Sequence, residues 1–180
     1  MKNLLLVGIA VAMAATAQTM PDMKENPIAA SGARAYASIA GNITKSIDRM
    51  PADKFGYRAT DDTRTFAQLI GHIANANYTY CGVVTGGKAP DNYEKNASTK
   101  EALAAGWKGA NEECTKAWST MTDKGLAEMK KMGQREVPAA QVMFGNISHT
   151  NEHYGNLVTM FRLNKMVPPS TEASQSMQKK

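Results

Sequence analysis

The chain has 180 residues, 43% of them hydrophobic and 21% charged, which is enough for one domain with a sizeable core. Its formal net charge of +5 is modest and scattered. The densest basic stretch, residues 124–135, is broken by Glu128 and Gly133 and carries no interleaved aromatics, so a nucleic-acid stripe is not expected.

The N-terminus opens with Lys2, an apolar run from Leu4 to Met13, and the small-x-small ending Ala15-Thr16-Ala17. That sequence describes a secretory signal peptide over residues 1–17. The run is too short for a lasting membrane anchor, which takes about 20 apolar residues. No cysteine follows that would take a lipid. The alternative is a buried N-terminal helix, but nothing polar recurs at helical spacing before Gln18. The expectation is an exported protein, periplasmic or extracellular, with a bundle domain over residues 18–170 and a disordered polar tail over 171–180.

Four helical segments follow, with almost no strand alternation. Segment one, about Ser31 to Met50, places Tyr36, Ala40, Ile43, Ile47 and Met50 on one face. Pro51 ends it. Segment two begins near Thr63, with Asp62 or Thr63 as N-cap, and carries the stripe Phe66, Leu69, Ile73, Ala76, Tyr80, Val83 up to Gly86-Gly87. Segment three starts at Ser98, with Glu101 three residues on as in a capping box, and its stripe is Leu103, Trp107, Ala110, Cys114, Ala117, Met121. Segment four runs from about Pro138 to Asn164. Four such segments predict an all-α four-helix bundle.

The linkers, residues 51–62, 87–97 and 122–137, are longer than tight turns need. The second, extended at about 3.3 Å per residue, reaches roughly as far as a 24-residue helix is long, so it can cross the bundle and let segments two and three run parallel. Cys81 and Cys114 bear on this point. In an oxidising compartment an even cysteine count reads first as a disulfide, with buried thiols or a thiolate metal site as alternatives. The two residues are nearly level in a parallel pair and far out of register in a tight antiparallel hairpin. If they pair, the topology is up-down-down-up.

All three histidines fall on inward faces. His149 and His153 are four apart, one turn above each other on segment four, in the seam Val142, Asn146, His149, His153, Asn156, Met160. His72 lies between Leu69 and Ile73 on segment two. Buried unpaired imidazoles are costly, so the three rings are expected either to bind one divalent metal or to be satisfied core residues. Residues 149–153 also spell H-x-x-E-H, a zinc-peptidase pattern that suits a small helical bundle poorly. Glu152 stands about 100° round the helix from His153, where it can support a histidine or a metal-bound water from outside, or simply face solvent.

Residues 65–74, Thr-Phe-Ala-Gln-Leu-Ile-Gly-His-Ile-Ala, resemble the second-helix signature of the DinB-like family, and residues 149–157, His-Thr-Asn-Glu-His-Tyr-Gly-Asn-Leu, its fourth-helix signature. The continuation through Phe161-Arg162-Leu163-Asn164 to Val167-Pro168-Pro169 is also similar. The resemblance implies a metal-dependent up-down-down-up bundle with His72, His149 and His153 as ligands. It further implies kinship with transferases and isomerases that use low-molecular-weight thiols. Those thiols are mainly cytosolic, so export weakens that chemistry for this chain.

Three nitrogen ligands suit one divalent ion, zinc foremost, with nickel, manganese or iron as alternatives. The function expected is a metal-dependent transferase or hydrolase acting on a small molecule; the alternative is a non-catalytic metal-binding or stress-related bundle, and a third is a purely structural one. Asn75, Asn77, Tyr78, Tyr154 and Arg162 are candidate pocket residues, each with an ordinary structural reading as well. Trp107 and Trp118 read as core anchors. No nucleic-acid partner and no membrane anchor after signal cleavage are expected, and a homodimer is left open.

Overall fold

The computed structural model describes residues 19–97 and 99–178. The signal peptide expected over residues 1–17 and the cap expected at Ser98 lie outside the described residues. Four long helices form the body: α1 (Pro27–Arg49), α2 (Phe66–Thr85), α4 (Lys100–Ser119) and α6 (Ala139–Leu163). Short elements occupy the connections: α3 (Tyr93–Asn96), α5 (Asp123–Leu126), and a hairpin of β1 (Met129–Met132) and β2 (Arg135–Pro138). A last helix, α7 (Pro169–Gln178), follows α6. None of the described helices is long and apolar enough to cross a membrane.

Local chemistry explains the helix ends. Pro27 pre-sets the first turn of α1, and the carboxylate of Asp123 accepts from Ala29 N at 2.8 Å and Ile28 N at 3.2 Å. In α2 the cap is Thr65 rather than Asp62 or Thr63. Gln68 N donates to Thr65 Oγ1 at 3.2 Å, and Thr65 N donates back to Gln68 Oε1 at 2.9 Å, completing a capping box. The preceding turn holds Thr63 instead, whose hydroxyl bonds to Thr60. Gly86, at φ +82°, closes α2 in the left-handed region. In α4, Thr99 is the cap, accepting from Ala102 N at 3.2 Å.

Side-chain pairs give the helix directions. Along α1 and α4, Thr44 meets Trp107 and Tyr36 meets Asn111, an antiparallel register. Along α2 and α4, Cys81 is bonded to Cys114 with Cα atoms 5.0 Å apart, and Tyr78 lies against Gly109, a parallel register. Along α2 and α6, Phe66 packs on Phe161, His72 on His149, and Asn77 on Asn146, an antiparallel register. The topology is up-down-down-up, with residues 86–97 crossing the bundle.

The stripes expected in α1 and α4 are buried at every position. In α2 the buried face is rotated: Phe66, Leu69 and Ile73 are buried as expected, but Asn77 and Cys81 are the buried residues at the C-terminal end, not Ala76, Tyr80 or Val83. The disulfide and the bonds of Asn77 turn that face toward α4 and α6.

Two connections differ from expectation. Residues 122–137 hold a hairpin, with Lys130 opposite Val137 and Met132 opposite Arg135 across a turn where Gly133 takes φ +63°. These charged strands are too short to show alternation. Within the polar tail expected to be disordered over 171–180, residues 171–178 belong to α7, which ends at Gln178, and residues 179–180 lie outside the described residues. Pro168 and Pro169 are buried, Ser170 N donates to Tyr154 Oη at 2.9 Å, and Glu172 pairs with Arg49 of α1.

Candidate metal centre

The two central helices bring the three histidines to one point. His72 projects from the second turn of α2, and His149 and His153 from successive turns of α6. His149 Nε2 lies 3.2 Å from His72 Nε2 and 3.1 Å from His153 Nε2. The ring centroids are 4.4–5.1 Å apart. His153 is buried, while His72 and His149 are partly open. The separations approach the roughly 3.3 Å expected between two nitrogens on one tetrahedral ion with bonds near 2.0–2.1 Å.

The charges around the cluster keep lone pairs available. Burial, reinforced by the neighbouring His149 and His72, pushes His153 down to about 4. Burial and the charge of His72 also lower His149. Glu152 opposes both shifts through its charge, but its side chain is exposed and hydrogen bonds to no histidine among the described residues. Of the two readings of Glu152, the exposed side chain follows the solvent-facing one and touches no histidine.

The carboxylate that does touch the cluster is Glu94 of α3, a residue that no periodic spacing ties to the histidines. Its Oε2 is 3.0 Å from His72 Nδ1, and its Oε1 accepts from Arg64 Nε at 2.7 Å. Burial alone would raise Glu94, but the hydrogen bonds from Arg64 and His72 outweigh it and hold the carboxyl below its usual range. An ionised Glu94 can only accept, so His72 Nδ1–H donates. In the neutral ring His72 Nε2 is then a bare lone pair aimed at His149. One proton on His149 Nε2 can point squarely at only one of its two neighbours, whereas a cation takes all three lone pairs. The Nδ1 atoms of His149 and His153 are buried and have no hydrogen-bond partner among the described residues.

A cavity of about 560 Å³ borders this cluster. His153 and Glu94 form its inner wall, Arg64 and Asp62 contribute charge, and Asn156 and Thr159 contribute polar groups from α6. Asn156, expected in the buried seam, is exposed and lines this cavity instead.

The other candidate pocket residues lie elsewhere. Asn77 is fully buried, Asn75 holds the linker, Tyr154 receives α7 and Arg162 is exposed. Tyr78 stacks near Tyr93 beside a second, smaller hollow. Trp107 and Trp118 are buried core residues.

Residues 37–157 match the DinB superfamily. The chain belongs to that superfamily. A crystal structure of a DinB-like protein from Bacillus cereus ATCC 10987 is similar, with a TM-score of 0.66 and 17% sequence identity over 76% of this chain and 92% of that one. A DinB-like protein from Bacillus subtilis is similar with a TM-score of 0.62, also at 17% identity, over 76% of this chain and 93% of that one. At such identity these likenesses speak for the fold alone. No curated protein matches the chain. DinB superfamily members bind metals in general, and the three-histidine group of this member could hold one.

Proposed function

We propose that this DinB superfamily protein binds one divalent ion, zinc foremost, through His72, His149 and His153, and acts on a small molecule held in the adjoining cavity. The observation that carries the reading is the meeting of three imidazole Nε2 atoms, 3.1–3.2 Å apart at His149, beside an open cavity. Nitrogen donors suit zinc, and nickel, manganese or iron are the alternatives. Bound there, the ion would supply Lewis acidity toward a water, thiol or carbonyl group. The protein's own part is to present the cavity: Arg64 and Asp62 offer charge, Asn156 and Thr159 offer hydrogen bonds, and Leu69 and Met160 offer apolar surface. Transfer or hydrolysis of a small molecule fits such a site.

Export to the periplasm or beyond belongs to the same reading. It is supported by the N-terminal run ending Ala15-Thr16-Ala17 and by the Cys81–Cys114 disulfide. Elemental analysis after reconstitution with zinc tests the site: close to one ion per chain is expected, and a small fraction of an ion defeats it. Zinc-loaded protein screened against small esters, amides and electrophile–thiol pairs tests the chemistry. Turnover lost in His149→Ala supports catalysis; its absence across the panel retires the catalytic half and leaves metal binding.

A further inference from the structure

The linker from α2 to α4 is docked against α2 by residues that flank His72. Gly71 lets the linker backbone come close: a Cβ there would stand 2.5 Å from the Tyr93 carbonyl oxygen and 2.6 Å from Glu94 N. On the other side of His72, Asn75 Oδ1 accepts from Tyr93 N at 3.1 Å, and Asn75 Nδ2 donates to Asn92 Oδ1 at 2.9 Å. The Tyr93 ring fills the space over Gly106 of α4, where a Cβ would meet it at 2.5 Å. Glu94 is thereby seated between His72 and Arg64.

We propose that Glu94 is a positioning residue for the metal site, holding the proton of His72 on Nδ1, turning Nε2 toward His149, and linking that ring through Arg64 to the cavity wall. The inference rests on His72, His149 and His153 being the ligands. His149 and His153 have no partner at Nδ1 among the described residues, so His72 is the ring whose tautomer a charged group selects. A carboxylate in this position limits rotation of the ring and makes its second nitrogen a better donor. Because Glu94 also borders the cavity, the same contact places a ligand of the ion and a wall of the binding space under one side chain.

The test is zinc titration by competition with a chromophoric chelator, on wild type, Glu94→Gln and Glu94→Ala. Loss of an outer carboxylate is expected to weaken affinity by about 10–100-fold in Glu94→Ala, with Glu94→Gln intermediate. Thermal unfolding of metal-free Glu94→Gln should fall only slightly below wild type, since the pairs with Arg64 and His72 that it weakens are partly exposed. In zinc-loaded wild type, nitrogen-edited NMR should show the His72 Nδ1 proton protected from exchange with water, and protection should be lost in Glu94→Ala. If Glu94→Ala does not fold, Glu94→Gln decides. Variants that bind zinc as tightly as a zinc-binding wild type overturn the role of Glu94. A wild type that takes up no zinc defeats the site itself, a distinct outcome.

Discussion

Asn146 Nδ2 donates to Asn77 Oδ1 at 2.8 Å, with both side chains fully buried between α6 and α2. Asn77 Nδ2 then donates to Tyr36 Oη at 2.9 Å, and Tyr36 donates to Asn111 Oδ1 at 3.0 Å. Burial holds the Tyr36 phenol far above its usual value, against the bond from Asn77, so it stays protonated and able to donate. One polar chain thus crosses all four long helices.

Cutting that chain at its centre should be costly. Asn77→Ala leaves the Asn146 amide without its acceptor, at about 1–3 kcal/mol for a buried group left unsatisfied, and removes the bond that Tyr36 accepts while its bond to Asn111 remains. Urea unfolding should show the loss. A change no greater than that of the exposed control Asn151→Ala would mean the network adds nothing to stability.

Reduction of Cys81–Cys114 should destabilise the bundle without dismantling the histidine cluster. The bridge closes a loop with a sequence separation of 33, for which chain entropy gives about 3–4 kcal/mol. Cys81→Ala/Cys114→Ala should therefore unfold at lower denaturant yet still take up zinc. Loss of zinc binding in the folded double variant would show that the disulfide supports the site directly.

The metal-free protein should lose stability with acid in a window set by His153. Its folded value, about 4, lies below the ordinary 6.5. Above 6.5 the ring is neutral in both states and contributes no pH dependence. As pH falls from 6.5 toward 4, the unfolded chain takes up a proton that the folded chain refuses, and stability drops. Comparing wild type with His153→Asn isolates this ring from the carboxylates. The variant should show a shallower decline across the window, and identical slopes would contradict the assignment.

Zinc should stabilise the wild type by mass action, about 2.7 kcal/mol at a free concentration one hundred times Kd. His149→Ala removes the ring that contacts both others and should show no zinc-dependent rise in Tm. A variant that still gained stability from zinc would place the ion elsewhere.

The sequence made the helices and the meeting of the three histidines legible because their evidence is local. His149 and His153 are one turn apart, the α1 and α4 stripes follow the helical period, and the level positions of Cys81 and Cys114 exposed the parallel pair. Glu94 was hidden because its partner His72 is 22 residues away and no period links a crossing turn to a helix face. Glu152 was the better guess from spacing, yet the helix turns it to solvent. The hairpin at Met129–Pro138 escaped because its pairing depends on a two-residue turn at Gly133. The α7 helix escaped because its support comes from Tyr154 and Arg49, far back along the chain.

His72 and His149 are separated by 77 residues, with the crossing linker, all of α4 and the hairpin between them. The cluster therefore cannot assemble before the chain has been made past His149. Only a molecule that has wound its second and last long helices together presents all three nitrogens at once. Ion uptake would then mark the end of folding and serve as a receipt that maturation is complete, separable in time from formation of the individual helices.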